Sequence, residues 1–290
     1  MFARVVALAS YPLESLGVAH GQRDRRGDRP ARDIRAQIMK SSTVEITTPD
    51  GQADAYLAWP DDEPYPGVLL ISDAFGLRPT VEEMADRIAG DGYVVLAPNV
   101  FYRAGRAPVV PLDDLRDPDR YASVFPSVRP LMEALTPERI VADGGAYLDY
   151  LAGVAASGPF AVTGYCMGGR VGWRIAAAFP DRVAALGAFH TGGLVTDDPD
   201  SPHRAAGDLD AEVFLGFADH DRSATPEQIA IVERALDEAG VRHRAEVFEG
   251  AQHGYAMADT PAYDEVARER HFRELGGLLG RTLGRARAPR

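Results

Sequence analysis

The 290-residue chain holds one cysteine. A single cysteine excludes an internal disulfide and any zinc site built from a cysteine cluster. Nowhere is there an apolar run of about 18 residues, so the sequence indicates no transmembrane helix. Positive charge is also scarce: 31 Lys and Arg stand against 43 Asp and Glu, for a formal net charge of -12. Such a surface argues against a nucleic-acid partner and exerts no long-range pull on anionic substrates, so any anion site must be local. None of the histidines forms H-E-x-x-H, no P-loop lysine is present, and no metal or cofactor is expected. What remains is ordinary globular composition, 46% hydrophobic and 26% charged, with length enough for one α/β core.

Residues 1–38 read as a disordered or loosely attached extension, because Gly21 to Arg32 is charged and carries no core pattern. A secretory signal is the alternative, but Leu13 to Ala19 gives no convincing apolar region or cleavage site. Met39 is a further candidate start. Residues 39–290 read as one domain. Val44 to Thr47 and Ala53 to Trp59 flank a Pro49-Asp50-Gly51 turn and predict a hairpin. From there apolar strand segments alternate with helical ones. The fold class is therefore α/β: a mainly parallel sheet with helices on both faces and an N-terminal antiparallel hairpin at its edge. Pro98 to Thr136 shows little periodicity and reads as a long functional loop.

The centre of the chain is Gly164-Tyr165-Cys166-Met167-Gly168-Gly169. Phe160 to Thr163 precedes it as a buried strand, and Arg170 to Phe179 follows as a helix. A strand, a sharp turn and a helix make the setting of a nucleophile elbow, G-x-S-x-G, with cysteine in place of serine. Gly164 and Gly168 remove side chains that such a turn would bring into collision. The helix N-terminus at Cys166 favours a thiolate, and the Met167 N–H is placed to stabilise an oxyanion.

A cysteine nucleophile needs a base, and the base an orienter. The strand Glu212 to Ala218 ends in Asp219-His220-Asp221, and the next strand is followed by Gln252-His253-Gly254. The order nucleophile, acid, histidine suits this fold, and all three fall at the carboxyl edge of the sheet. Chain order alone leaves both Asp219 and Asp221 open as the acid. Phe75, Tyr102, Phe189 and His190 are candidate pocket-lining residues.

Together these stretches resemble the dienelactone hydrolase (carboxymethylenebutenolidase) family of the α/β-hydrolase fold. The elbow matches the family's G-x-C-x-G-G, and Gly250-Ala251-Gln252-His253-Gly254 matches its histidine segment. Leu96 to Arg103 resembles its A-P-x-L-Y-x-R segment. The resemblance runs from about Thr43 to the last helix. It implies Asp221 as the acid, the N–H groups of Ala74 and Met167 as the oxyanion hole, and Arg103 as a binder of substrate carboxylate. Asp73 falls where many members carry a thiol-activating glutamate, one methylene longer. A second carboxylate-binding arginine is expected four residues after His253, and Met257 stands there instead.

The function implied is hydrolysis of an enol-lactone or related carboxylic ester, of the dienelactone-to-maleylacetate type. It would run through Cys166, His253 and Asp221 and a thioester acyl-enzyme. A carboxylesterase or thioesterase of the same fold is the alternative, and a non-catalytic thiol-bearing binding protein a third. The expected partner is a small-molecule lactone or ester, with no nucleic acid and no membrane. A cytoplasmic monomer or homodimer is expected.

Overall fold

The protein is described here from a computed structural model, which covers residues 40–61, 63–112 and 115–284. The extension expected at residues 1–38 lies outside them. Strands β1 (Lys40–Thr48) and β2 (Gly51–Trp59) form the antiparallel hairpin. They are followed by β3 (Gly67–Ile71), β4 (Val94–Pro98), β5 (Phe160–Tyr165), β6 (Val183–Phe189), β7 (Glu212–His220) and β8 (His243–Gln252). These build one sheet in the order β1-β2-β4-β3-β5-β6-β7-β8. β2 meets β4 antiparallel, and every pairing from β4 across to β8 is parallel. The hairpin thus caps one edge, as its sequence predicts.

The central strands are buried on both faces, which is why they read as continuous apolar runs and not as alternating ones. Helices α1 (Pro79–Gly90) and α6 (Glu265–Thr282) cover one face, where Val81, Met84 and Ile88 share a buried cluster with Leu275 and Leu278. Helices α3 (Pro137–Val154), α4 (Met167–Ala178) and α5 (Pro226–Glu238) cover the other, around Leu148, Trp173 and Leu236. Each such side chain contributes about 1.5–3 kcal/mol when removed from water. The helix starts follow local chemistry. Thr136 and Asp264 cap α3 and α6, Thr225 and Gln228 make a capping box on α5, and proline opens α1, α3 and α5.

One stretch differs from the sequence reading. Within the expected loop from Pro98 to Thr136 lies α2 (Pro118–Glu133), capped by Asp117. Pro126 and Pro130 sit inside it and remove two backbone donors. Its one buried side chain is Val128, so no apolar stripe marks it in the sequence. Tertiary contact holds it: Val128 joins Ala74, Phe75, Val110 and Leu115 in a small cluster. This seats α2 on the loop after β3, at the carboxyl edge of the sheet.

Candidate active site

Parallel strands deliver their following loops to one edge. β3 leads to Asp73 and Ala74, β5 to Cys166, β6 to His190, β7 to Asp221 and β8 to His253.

Cys166 takes φ 54° and ψ -118°, a conformation that costs a β-carbon-bearing residue about 1–3 kcal/mol. Close packing imposes it. A β-carbon on Gly164 would strike the Gly168 carbonyl, and one on Gly168 the carbonyls of Ile71 and Ser72. The chain passes between β5 and α4 only because both are glycine. Met167 opens α4, so its N–H has no acceptor within the helix.

His253 joins the thiol to a carboxylate. Its Nε2 lies 3.0 Å from Cys166 Sγ, and its Nδ1 lies 2.6 Å from Asp221 Oδ2. Asp221 Oδ1 accepts from the Ser223 N–H at 2.8 Å and the Ser223 hydroxyl at 2.6 Å, which fixes the carboxylate. Asp219 is turned elsewhere, accepting the Gly250 N–H at 3.0 Å. Of the two aspartates that chain order left open, Asp221 is the one hydrogen-bonded to His253. Burial works against a charged His253, but the Cys166 thiolate and then Asp221 outweigh it, and the imidazole pKa is pushed up to about 10. Burial likewise works against an ionised Asp221, yet hydrogen bonds from His253 and Ser223 hold its carboxyl below the ordinary value.

A cavity of about 370 Å³ opens over this chain of groups. Ala74, Phe75, Met167 and His190 line it, and Met257 is on its wall. His190 is fully buried at φ 38°, with its N–H donated to Gly216. Its ring meets the His253 ring edge to face at 5.5 Å, and burial keeps it neutral.

Three expected residues are not brought to the cavity. The Arg103 guanidinium donates to Asp143 at 2.7 and 3.0 Å and to Asp50 at 2.8 Å, and stacks on Tyr102. Those carboxylates already occupy the donors a substrate would need. Tyr102 bonds Thr48 and Asp143 beneath the hairpin. Phe189 is a core residue stacked on Tyr165, where the aromatic interior outcompetes the pocket. Asp73 does line the cavity, but its carboxylate is held by Arg78 at 2.5 and 3.0 Å and makes no hydrogen bond to Cys166. Arg78 also grips Asp259 at 2.7 and 3.0 Å, in the loop after His253.

Several cavity residues went unread in the sequence. Tyr121, Phe125 and Met132 come from α2 and could not be found without that helix. Ser223 and Arg170 carried a signal: one sits two residues after Asp221, the other one turn after Cys166. Among the described residues no helix is long and apolar enough to cross a membrane, and no group of three or more metal-ligating side chains occurs.

A mainly parallel sheet with a strained cysteine between strand and helix, joined through a histidine to an acid from later loops, defines an α/β-hydrolase. Comparison with known proteins narrows the class. The model of the "Dienelactone hydrolase family" matches residues 53–283. A provisionally named carboxymethylenebutenolidase of Escherichia coli (strain K12) is 27% identical over 224 residues, covering 74% of this chain and 77% of that one. A carboxymethylenebutenolidase homolog of Mus musculus is 26% identical over 211 residues, covering 69% and 78%. The crystal structure of a provisionally named dienelactone hydrolase from Klebsiella pneumoniae superposes with a TM-score of 0.73 at 22% identity, covering 83% and 98%, and shares the fold. The chain belongs to the dienelactone hydrolase family and is a carboxylic ester hydrolase.

Proposed function

We propose that the chain cleaves an enol-lactone or related carboxylic ester through a Cys166-His253-Asp221 triad and a thioester acyl-enzyme. The observation that carries this reading is the unbroken hydrogen-bonded path from Cys166 Sγ through His253 to Asp221, at 3.0 and 2.6 Å. The chemistry follows from those contacts. His253 Nε2 takes the proton of Cys166, and Asp221 holds the imidazolium on its other nitrogen. Sulfur attacks the carbonyl carbon, and the N–H groups of Met167 and Ala74 stabilise the resulting oxyanion. As the C–O bond breaks, the leaving oxygen takes the proton from Nε2. In a lactone the leaving oxygen stays tethered to the acyl chain. Water then enters, gives a proton to Nε2 and attacks the thioester. Collapse returns the thiolate and releases the acid. No cofactor enters this sequence.

A carboxylesterase or thioesterase using the same groups on another substrate is the second reading. Met257 favours it, standing where the family resemblance calls for a carboxylate-binding arginine, and so does the sequestration of Arg103.

The test is hydrolysis of dienelactone and of a simple aryl ester by the wild type, Cys166→Ser and His253→Ala. We expect both variants to lose about 10³-fold or more in kcat/KM. A trapped acyl adduct on Cys166 should appear by mass spectrometry. Aryl ester turnover without dienelactone turnover moves the function to the second reading. Retention of activity within tenfold in His253→Ala overturns the triad.

A further inference from the structure

The catalytic cavity holds one charge that no described residue pairs. Among its lining residues Asp73 is neutralised by Arg78, and His253 by Asp221 and Cys166. Arg170 also lines it, from the second turn of α4, and makes no hydrogen bond or ion pair with any described residue. It is half-buried. Its Nη1 lies along Gly193, where an added β-carbon would come within 3.4 Å.

The contrast with the engaged arginines is direct. Bound carboxylates raise the pKa of Arg78 and Arg103 despite their burial. Arg170 shifts the other way: desolvation lowers it, the Cys166 charge offsets part of this, and Arg174 lowers it further. A guanidinium nonetheless stays protonated at any working pH. A cation partly removed from water without a partner is costly, and an arriving anion would offset that cost. The fork of N–H donors suits a carboxylate, which it can take two bonds at a time.

The position fixes the side on which the ligand sits. Arg170 follows Cys166 by four residues, in the first residues of α4, and lines the same cavity as the nucleophile. It also borders an adjoining cleft of about 260 Å³, which shares Met167 and Gly193 with the cavity. Apart from Arg170 that cleft carries Asp198 and Asp200 against Arg174 on its wall, a net acidic lining that disfavours an anion there. The anion therefore lies on the Cys166 side.

We infer that Arg170 is a specificity-determining residue, binding a carboxylate that the ester or lactone substrate carries a few bonds from the carbonyl under attack. This rests on the hydrolase reading above. It supplies the local anion site that a chain of net charge -12 otherwise lacks, in place of the sequestered Arg103.

The experiment compares two nearly isosteric aryl esters, the p-nitrophenyl half-ester of glutarate and p-nitrophenyl valerate. They differ by a terminal carboxylate against a methyl. Wild type should favour the glutarate ester. In Arg170→Met the glutarate-to-valerate ratio of kcat/KM should fall by about 10- to 100-fold. Arg170→Lys should restore part of it, mainly through KM. A ratio that stays within twofold overturns the assignment, as does an equal fall on both esters, which would place Arg170 in service of the thiol alone. If wild type turns over neither ester, the hydrolase reading stands or falls on dienelactone turnover. Calorimetric binding of monomethyl glutarate then decides the matter for Arg170: weaker binding by Arg170→Met upholds it, and equal or absent binding in both proteins overturns it.

Discussion

Replacing Arg78 by methionine should be among the most damaging single changes in the protein. The Arg78 side chain is 0% exposed, and Asp73, its main partner, 5%. The guanidinium also donates to Asp259 and to the Gly76 carbonyl. Methionine fills similar volume but leaves the Asp73 carboxylate in the interior with the Phe75 N–H as its remaining protein donor. Breaking a buried pair in this way costs about 3–5 kcal/mol, because one charge is stranded. Asp259 is 29% exposed and can return to water, so it adds little. At about 2–4 °C per kcal/mol for a chain of this size, the midpoint should fall by roughly 6–20 °C. Urea unfolding followed by circular dichroism measures the loss. Arg78→Met combined with Asp73→Asn should be less destabilised than the sum of the two singles by about 2–3 kcal/mol, since the stranded charge is then gone. Activity should drop as well, because Arg78 ties the loop carrying Ala74 to the loop that follows His253. A loss below about 1 kcal/mol, or strict additivity in the double variant, would refute the reasoning and mean that water reaches the pair.

In wild type the His253 imidazole should titrate near 10 by NMR. In Cys166→Ala its largest supporting charge is removed, so the value should fall while Asp221 still supports it; an unchanged value would mean that the thiolate does not set it. Because the folded value lies above the roughly 6.5 of an unfolded histidine, this group's contribution to stability is complete below that pH and is lost as pH rises through about 10. Gly164→Ala should cost about 3 kcal/mol or more in urea unfolding, since its β-carbon meets backbone that cannot move aside. Gly276→Ala, in α6 with nothing within 4 Å of the added carbon, should instead stabilise by up to about 1 kcal/mol.

The parts of the site that were legible in the sequence are those fixed by local or ordered features. The elbow could be read because its spacing of glycines around Cys166 is a local pattern, although only the Gly164–Gly168 contact is local and Gly168 is also pressed by the distant Ile71 and Ser72. The order Cys166, Asp221, His253 could be read because each follows its own apolar strand. Chain order could not separate Asp221 from Asp219, and the family resemblance is what points to Asp221; in space they differ in whether His253 or Gly250 lies nearby. Arg103 misled for a related reason: its partner Asp143 is forty residues away on α3 and invisible in the segment that resembles the family's. Asp73 could have been suspected, because Arg78 stands five residues later in the same loop. Helix α2 could not be read at all, since two internal prolines and a single buried side chain erase both propensity and period.

The lone thiol at the elbow also makes the chain its own active-site counter. Every equivalent of a thiol-specific reagent that reacts must do so at Cys166, because the chain offers no other thiol. Stoichiometric labelling therefore gives the concentration of competent sites directly, with no correction for bystander cysteines. The same solitude has a chemical cost. If an oxidant converts that sulfur to a sulfenic acid, no neighbouring cysteine can capture it as an internal disulfide. Recovery then depends wholly on a thiol supplied from outside, and without one further oxidation would be irreversible.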